Sequence, residues 1–324
     1  MNKILEIKNL SISFQTANGR LRAVDNISFS LEKGERLGII GESGSGKSVT
    51  ALSILNIIEE IGGQIDSGKI LYHNEDILTM PKKKVNALRG SEIAYISQDP
   101  ANSLNPIYTI KDQLMEIFTI HHIRLTHKEK MRKIKHTLEM LDFTHVDSLL
   151  RKYPFELSGG MCQRIVIAMA LLLEAEIIIA DEPTTALDVS TQANILELFD
   201  IISEKNNCAI ILISHDIGVI HDLSDRVLVL YYGKIMEEQK SVDFFKNPRH
   251  PYTKSLIQAL PKNFSGRFQT LKNAIPDIYH GETGCQFFNR CDEALPMCSM
   301  YPPTGKQLSL DGICFCHNIV NTEA

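Results

Sequence analysis

No stretch of this 324-residue sequence stays apolar for the roughly 20 residues that a bilayer-crossing helix needs. Positive charge is not in surplus either. The 34 Lys and Arg residues are outnumbered by 39 Asp and Glu, giving a net charge of −5, so no global basic field argues for a nucleic-acid partner. The opening run Met1-Asn2-Lys3-Ile4-Leu5-Glu6 is too short, and too charged at Glu6 and Lys8, for a secretory signal. A cytosolic protein is therefore expected, with any membrane attachment made through a partner. Cysteine is scarce over most of the chain. Cys162 and Cys208 stand alone, and the other five of the seven lie between Cys285 and Cys316. In a cytosolic chain that clustering points to metal rather than to disulfides. Apolar residues, in contrast, make up 44% of the sequence, enough for one large domain with an appendage or for two domains.

The chain is organised around Gly41-Glu42-Ser43-Gly44-Ser45-Gly46-Lys47-Ser48. It follows the apolar run Leu37-Gly38-Ile39-Ile40 and precedes a helix-like run over residues 49–58. That strand–loop–helix setting is the one in which the Walker A spacing binds nucleotide phosphates. Gly41, Gly44 and Gly46, with Ser43 between them, let successive N–H groups turn inward around phosphate oxygens, and the helix N-terminus adds partial positive charge. Lys47 can reach the outer phosphates, and the Ser48 hydroxyl can ligate Mg²⁺. The motif alone does not say which nucleotide hydrolase this is.

Before the loop, residues 4–14 alternate as a strand, Asn18-Gly19 signals a hairpin, and residues 21–31 supply the partner. Such a hairpin would lie over a nucleotide base. Phe14, at the end of its first strand, is either a stacking platform for adenine or an ordinary core residue. After the loop helix, Ser67-Gly68-Lys69 reads as a turn into a short strand over residues 70–72. Another strand, 93–96, ends at Gln98-Asp99-Pro100. A glutamine there can ligate Mg²⁺, position a water or sense the γ-phosphate; standing alone it would be only a polar loop residue. Residues 107–153 are rich in Lys, Arg and His at helical spacing. They read as a helical subdomain with a basic, solvated face, because no aromatic platform interleaves the charges as single-stranded nucleic-acid binding would require.

Leu157-Ser158-Gly159-Gly160-Met161 opens an apolar helix. Ser158 is a good N-cap and the two glycines leave N–H groups free, which makes a second phosphate-binding device. One nucleotide needs only one such device, so the second is expected to serve another chain's nucleotide. Ile177-Ile178-Ile179-Ala180 reads as a buried parallel strand ending in Asp181-Glu182. Paired acids at a strand's carboxyl end are costly to bury without a cation. Asp181 would accept Mg²⁺ and Glu182 would polarise the attacking water. Thr184 to Asp188, a helix over 190–205, and a strand over 209–213 ending at His215 complete the series.

These motifs, in this order, resemble the ATPases of the ABC family, over residues 3 to about 240. The resemblance implies an α/β P-loop fold with a mixed core sheet, an antiparallel β subdomain and a helical signature subdomain over about 107–173. It implies a head-to-tail dimer with ATP between one chain's loop and the other's signature. Lys47 and Ser48 would bind phosphate and Mg²⁺, Gln98 and Asp181 would complete the metal site, and Glu182 would be the general base. His215 would contact the γ-phosphate, Ser158, Gly159 and Gly160 would serve the opposite site, Asp188 would belong to the nucleotide site, and Phe14 matches the adenine-stacking aromatic. One departure is Cys162, where the family commonly has arginine.

The tail is narrower in its likeness. Asn247-Pro248-Arg249-His250-Pro251-Tyr252-Thr253, then Ala259-Leu260-Pro261 and Gly284-Cys285-Gln286-Phe287-Phe288-Asn289-Arg290-Cys291, resemble the extension of the oligopeptide, dipeptide and nickel importers. The expected division is an ATPase domain over 1–240 and a Cys-rich extension over 241–324. The implied activity is ATP hydrolysis coupled to import of peptides or of nickel or metal chelates. The implied partners are two transmembrane permease subunits, a second ATPase subunit (a paralogue or an identical copy) and, through the permease, an extracytoplasmic solute-binding protein. Nucleic acid is not among them. The implied location is the cytoplasmic face of the membrane. A soluble ABC ATPase acting on nucleic acid or ribosomes is the competing class, and it usually needs two cassettes or a long coiled coil that this chain lacks. Cys285, Cys291, Cys298 and Cys316 could hold a [4Fe–4S] cluster or a tetrahedral zinc, or could be reduced thiols without metal. The absence of a Cys-x-x-Cys pair weakens zinc, and the resemblance favours the iron–sulfur cluster. Cys314 would point the other way if that segment is extended.

Overall fold

The computed structural model describes residues 3–184, 189–258, 284–309 and 312–319. Asp188 and Ala259 to Pro261 lie outside the described residues.

Two sheets form the frame. β1 (Lys3–Thr16) and β2 (Gly19–Glu32) make an antiparallel hairpin, joined on the other side of β1 by β4 (Gly63–Tyr72) and then β5 (Glu75–Asp76). β4 is longer than its apolar end suggests, and Ser67-Gly68-Lys69 is not a turn. It is a bulge, with the register against β1 slipping between Lys8 and Ser11. Gly68 takes φ +104° there, and a Cβ on it would stand 2.6 Å from the Leu10 Cα, so the strand kinks where only glycine fits.

The second sheet runs, in order, β11 (Lys306–Ser309), β12 (Gly312–Cys314), β10 (Lys234–Lys240), β9 (Arg226–Tyr231), β3 (Arg36–Ile40), β8 (Ala209–Ile213), β7 (Ile177–Asp181) and β6 (Ile93–Ile96). Its parallel part consists of β3 (Arg36–Ile40), β6 (Ile93–Ile96), β7 (Ile177–Asp181), β8 (Ala209–Ile213) and β9 (Arg226–Tyr231). Every residue of β7 and β8 is buried, as expected of strands covered on both faces. Alternation still sorts them. Ile178, Ala180, Ile210 and Leu212 pack with the helices 110–120, 127–140 and 159–172, while Ile177, Ile179, Ala209, Ile211 and Ile213 pack toward the antiparallel sheet.

The tail does not hang from this frame. β10 (Lys234–Lys240) pairs with β9, β12 (Gly312–Cys314) pairs with β10, and β11 (Lys306–Ser309) with β12, so the chain's last strands extend the main sheet. Glu237 of β10, fully buried, accepts the N–H groups of Arg249 (2.9 Å) and His250 (2.8 Å) and thereby fixes the start of the helix Pro251–Gln258.

Candidate active site

The carboxyl ends of four adjacent parallel strands converge. β3 delivers the loop Gly41 to Ser48, β8 delivers His215, β7 delivers Asp181 and Glu182, and β6 delivers Gln98. This is the edge where open α/β sheets bind ligands. Gly46 takes φ +98° immediately before the helix Lys47–Ile54, and a Cβ on it would lie 2.5 Å from the Ala23 carbonyl oxygen, so the loop closes only with glycine. The Lys47 ammonium donates to the carbonyls of Gly41 (2.8 Å) and Glu42 (2.9 Å). Burial lowers its pKa, against the pull of Glu182, Asp181 and Glu42.

Asp181 is 2% exposed. The Tyr95 hydroxyl donates to its Oδ2 at 3.0 Å, and the Ser48 side chain is near enough to act on the carboxylate. Its Oδ1 is buried with no hydrogen-bond partner. Burial raises the pKa of this acid, opposed by Ser48 and Tyr95. A buried carboxylate oxygen beside a serine hydroxyl is a donor set suited to a hard, oxygen-seeking cation such as Mg²⁺.

Glu182 sits in the left-handed region, φ +51°, where its N–H donates to the Ile213 carbonyl at 2.9 Å. That turn separates it from Asp181 and aims it elsewhere. Its Oε2 accepts from the Gln98 amide at 2.9 Å and faces His215 Nδ1 at 3.2 Å. The Glu182 side chain is 15% exposed and that of His215 is 61% exposed. Around them is a cavity of about 460 Å³ lined by Phe14, Ser43, Gly44, Gly46, Lys47, Ser48, Gln98, Glu182 and His215. Phe14 is half-buried. It packs against the core of the antiparallel sheet and also borders the cavity, so it occupies both environments considered for it. Arg22 and Tyr232 line the cavity too. No motif marks them. Tyr232 precedes Gly233 in the β9–β10 hairpin, and that turn is the only signal that could have drawn attention to it.

The signature lies elsewhere. The Ser158 Oγ accepts from the Met161 N–H at 3.3 Å and caps the helix Gly159–Leu172. Ser158 and Gly159 are exposed, Gly160 is half-buried, and none of the three lines the cavity. Cys162 is buried one turn in, its thiol 3.7 Å from the Pro154 carbonyl oxygen, and burial raises its pKa. On the helical subdomain, Lys133 pairs with Glu174 at 2.8 Å and Lys135 with Asp147 at 2.7 Å, so part of its basic charge is neutralised locally.

The four tail thiols share one region. The Cys285 N–H donates to the Cys298 carbonyl at 2.7 Å, and Cys291 lies within electrostatic reach of Cys285 and Cys316. Among the described residues no group of three or more Cys, His, Asp or Glu side chains is arranged to hold a metal ion. Three of the thiols are tied to different anchors. Cys291 follows the turn Phe288–Arg290, Cys298 lies in the turn Pro296–Ser299, and Cys316 follows a strand pinned to β10. Cys314, fully buried in that strand, is a sheet residue.

The ABC transporter family profile matches residues 24–185, and the profile for the C-terminal region of oligopeptide/dipeptide transporters matches 236–298. The dipeptide transport ATP-binding protein DppD of Bacillus subtilis is 42% identical over 93% of this chain and 91% of its own. The oligopeptide transport ATP-binding protein OppD of Salmonella typhimurium is 40% identical over 93% and 90%. The chain belongs to the ABC transporter ATPases. A solved dimeric ATP-binding cassette bound to ADP and phosphate is 26% identical, with a TM-score of 0.65 over 73% of this chain and 98% of that one. Membership confirms the α/β P-loop architecture with its mixed and antiparallel sheets. In this ABC ATPase no described helix is long and apolar enough to cross a membrane.

Proposed function

We propose that this chain is the ATP-hydrolysing subunit of a peptide importer, acting at the cytoplasmic face of the membrane beneath two permease subunits. The observation that carries the reading is the convergence of Lys47, Ser48, Gln98, Asp181, Glu182 and His215 at one sheet edge, in a chain whose tail continues that sheet. The names of the dipeptide and oligopeptide relatives support peptides over nickel or metal chelates as cargo. Gly41, Ser43, Gly44, Gly46 and Lys47 cradle the phosphates, and Phe14 stacks on adenine. Ser48, Gln98 and Asp181 would hold Mg²⁺, which offsets phosphate charge when bound. Glu182 takes the proton from the attacking water, with Gln98 and His215 fixing its carboxylate. His215 turns to the γ-phosphate. Ser158, Gly159 and Gly160 complete a partner subunit's site, a paralogue or a second copy, and Asp188 belongs to the nucleotide site.

Residues 1–240 form the ATPase domain, with its helical subdomain over about 107–173, and 241–324 the extension. Cys285, Cys291, Cys298 and Cys316 are the candidate ligands of a structural [4Fe–4S] cluster, or of zinc, and no step of hydrolysis runs through them. A solute-binding protein would deliver cargo to the permease. The test is uptake of a labelled dipeptide by cells carrying the chain or its Lys47→Ala variant in place. Loss of uptake with the variant supports the reading. Peptide uptake that is unchanged by Lys47→Ala, with ATP hydrolysis abolished, overturns it.

A further inference from the structure

We propose that Arg290 and Tyr252 of the tail are positioning residues for the nucleotide loop, holding Glu42 in place and cancelling its charge so that nucleotide affinity depends on a docked tail. The inference rests on the ATP-site reading given above.

Glu42 is the second residue of the loop. Its carboxylate acts electrostatically on Lys47, the residue that must meet the phosphates. Both of its polar ends are held by the tail. Arg290 grips the carboxylate with two nitrogens, at 2.7 and 2.9 Å, and its side chain is only 5% exposed. A forked pair with its guanidinium buried fixes geometry and is less screened by salt than an exposed pair. The Glu42 N–H donates to the Tyr252 hydroxyl at 2.9 Å, and the Glu42 carbonyl receives Lys47. Arg290 also donates to the Tyr231 hydroxyl at 3.2 Å.

A second grip lies on the other side of the loop. With the Gln286 amide turned so that its nitrogen, not its oxygen, faces them, it donates to the carbonyls of Tyr232 (3.0 Å) and Tyr231 (3.2 Å). The next residue, Gly233, donates its N–H to the Ser45 carbonyl at 2.9 Å. The rings of Tyr231, Tyr252 and Phe287 pack on one another with centroids 4.7 to 5.3 Å apart, all essentially buried. A close-packed trio of this kind transmits a shift of the tail to the loop instead of absorbing it.

The test is nucleotide affinity of the full-length chain, measured with a fluorescent ATP analogue beside KM and kcat for hydrolysis. Arg290→Met should weaken ATP binding and raise KM by about tenfold, with kcat changed far less, because a half-buried carboxylate left without its partner adds uncompensated negative charge beside the phosphate loop. Arg290→Lys should recover part of the loss. Adding Glu42→Gln to Arg290→Met should recover more, since it removes the uncompensated charge. Tyr252→Phe keeps the ring and deletes only the acceptor for the Glu42 N–H. It should cost a few-fold in affinity with the melting temperature held, and it carries the test alone if Arg290→Met fails to fold. If Tyr252→Phe and any folded Arg290 variant bind ATP as the parent does, while only melting temperatures fall, the tail is merely structural and the inference is overturned. Lys47→Ala is run alongside. Nucleotide retained by that variant overturns the site reading itself, whereas nucleotide lost there and kept in the tail variants overturns only the tail's role.

Discussion

Replacing Glu182 with glutamine keeps the side chain's size while removing its charge and its capacity to accept a proton. In the structure one carboxylate oxygen serves both Gln98 at 2.9 Å and His215 at 3.2 Å. The amide can keep an oxygen toward Gln98, so the local packing should survive. Neither the loop nor Asp181 is altered, so ATP and its cation should still bind. General bases contribute about 10²–10⁴-fold to rate, which is roughly 3–5 kcal/mol of barrier. The expected result for Glu182→Gln is therefore a fall in single-turnover phosphate release by at least about a hundredfold, with ATP affinity unchanged. The assay is rapid-quench hydrolysis beside equilibrium binding of a fluorescent ATP analogue. Two results would refute the reasoning. Phosphate release near the parent rate would remove Glu182 from the role of base. A loss of ATP affinity equal to the loss of rate would assign it to binding.

Ser158→Arg should leave ATP binding to the isolated chain intact while blocking nucleotide-dependent dimer formation and steady-state turnover; size-exclusion chromatography with ATP and analogue binding together check this, and loss of monomer affinity would place the signature in its own chain's site. Asp181→Asn should abolish Mg²⁺-dependent hydrolysis and yet raise the melting temperature of the nucleotide-free chain, by about 2 °C for each ~1 kcal/mol relieved. The sign follows from burial: the folded chain holds this proton more tightly than the unfolded chain, so Asp181 favours folding below the usual carboxylate range and that contribution is lost as pH rises through its elevated pKa. The stability difference between Asp181→Asn and the parent should therefore shrink on acidification, as denaturant melts across pH 7 to 4 would read. Anaerobically purified chain should carry about four irons if the tail thiols hold a cluster; one zinc and no iron, or neither metal, would discard the cluster and leave the ATPase untouched.

The parts of the site that the sequence spells out are those in which chemistry demands a residue type at a set spacing. Lys47 follows Gly46 because the phosphate cradle and the helix N-terminus must be contiguous, and Asp181 and Glu182 adjoin because one strand end must serve both a cation and a water. Long-range partners carry no such constraint. Tyr95 donates to Asp181 across two neighbouring strands, but within its own strand it is only one more aromatic residue. Gly68 looked like a turn because a positive φ suits turns and bulges alike, and only the register against β1 separates the two. The cysteines cluster in sequence as a metal site would, yet spacing along a chain does not say how two turns and a strand end will set their thiols relative to one another. The pair that ties tail to loop is the furthest from legible. Glu42 and Arg290 lie 248 positions apart, one in an unconstrained position of the motif and the other beside Cys291. Neither is unusual alone. They acquire meaning only because β12 adds to the sheet edge beside β10 while the segment 284–291 packs against the end of β9. That placement brings a buried guanidinium onto the carboxylate of the loop's second residue and so ties the extension to the phosphate loop.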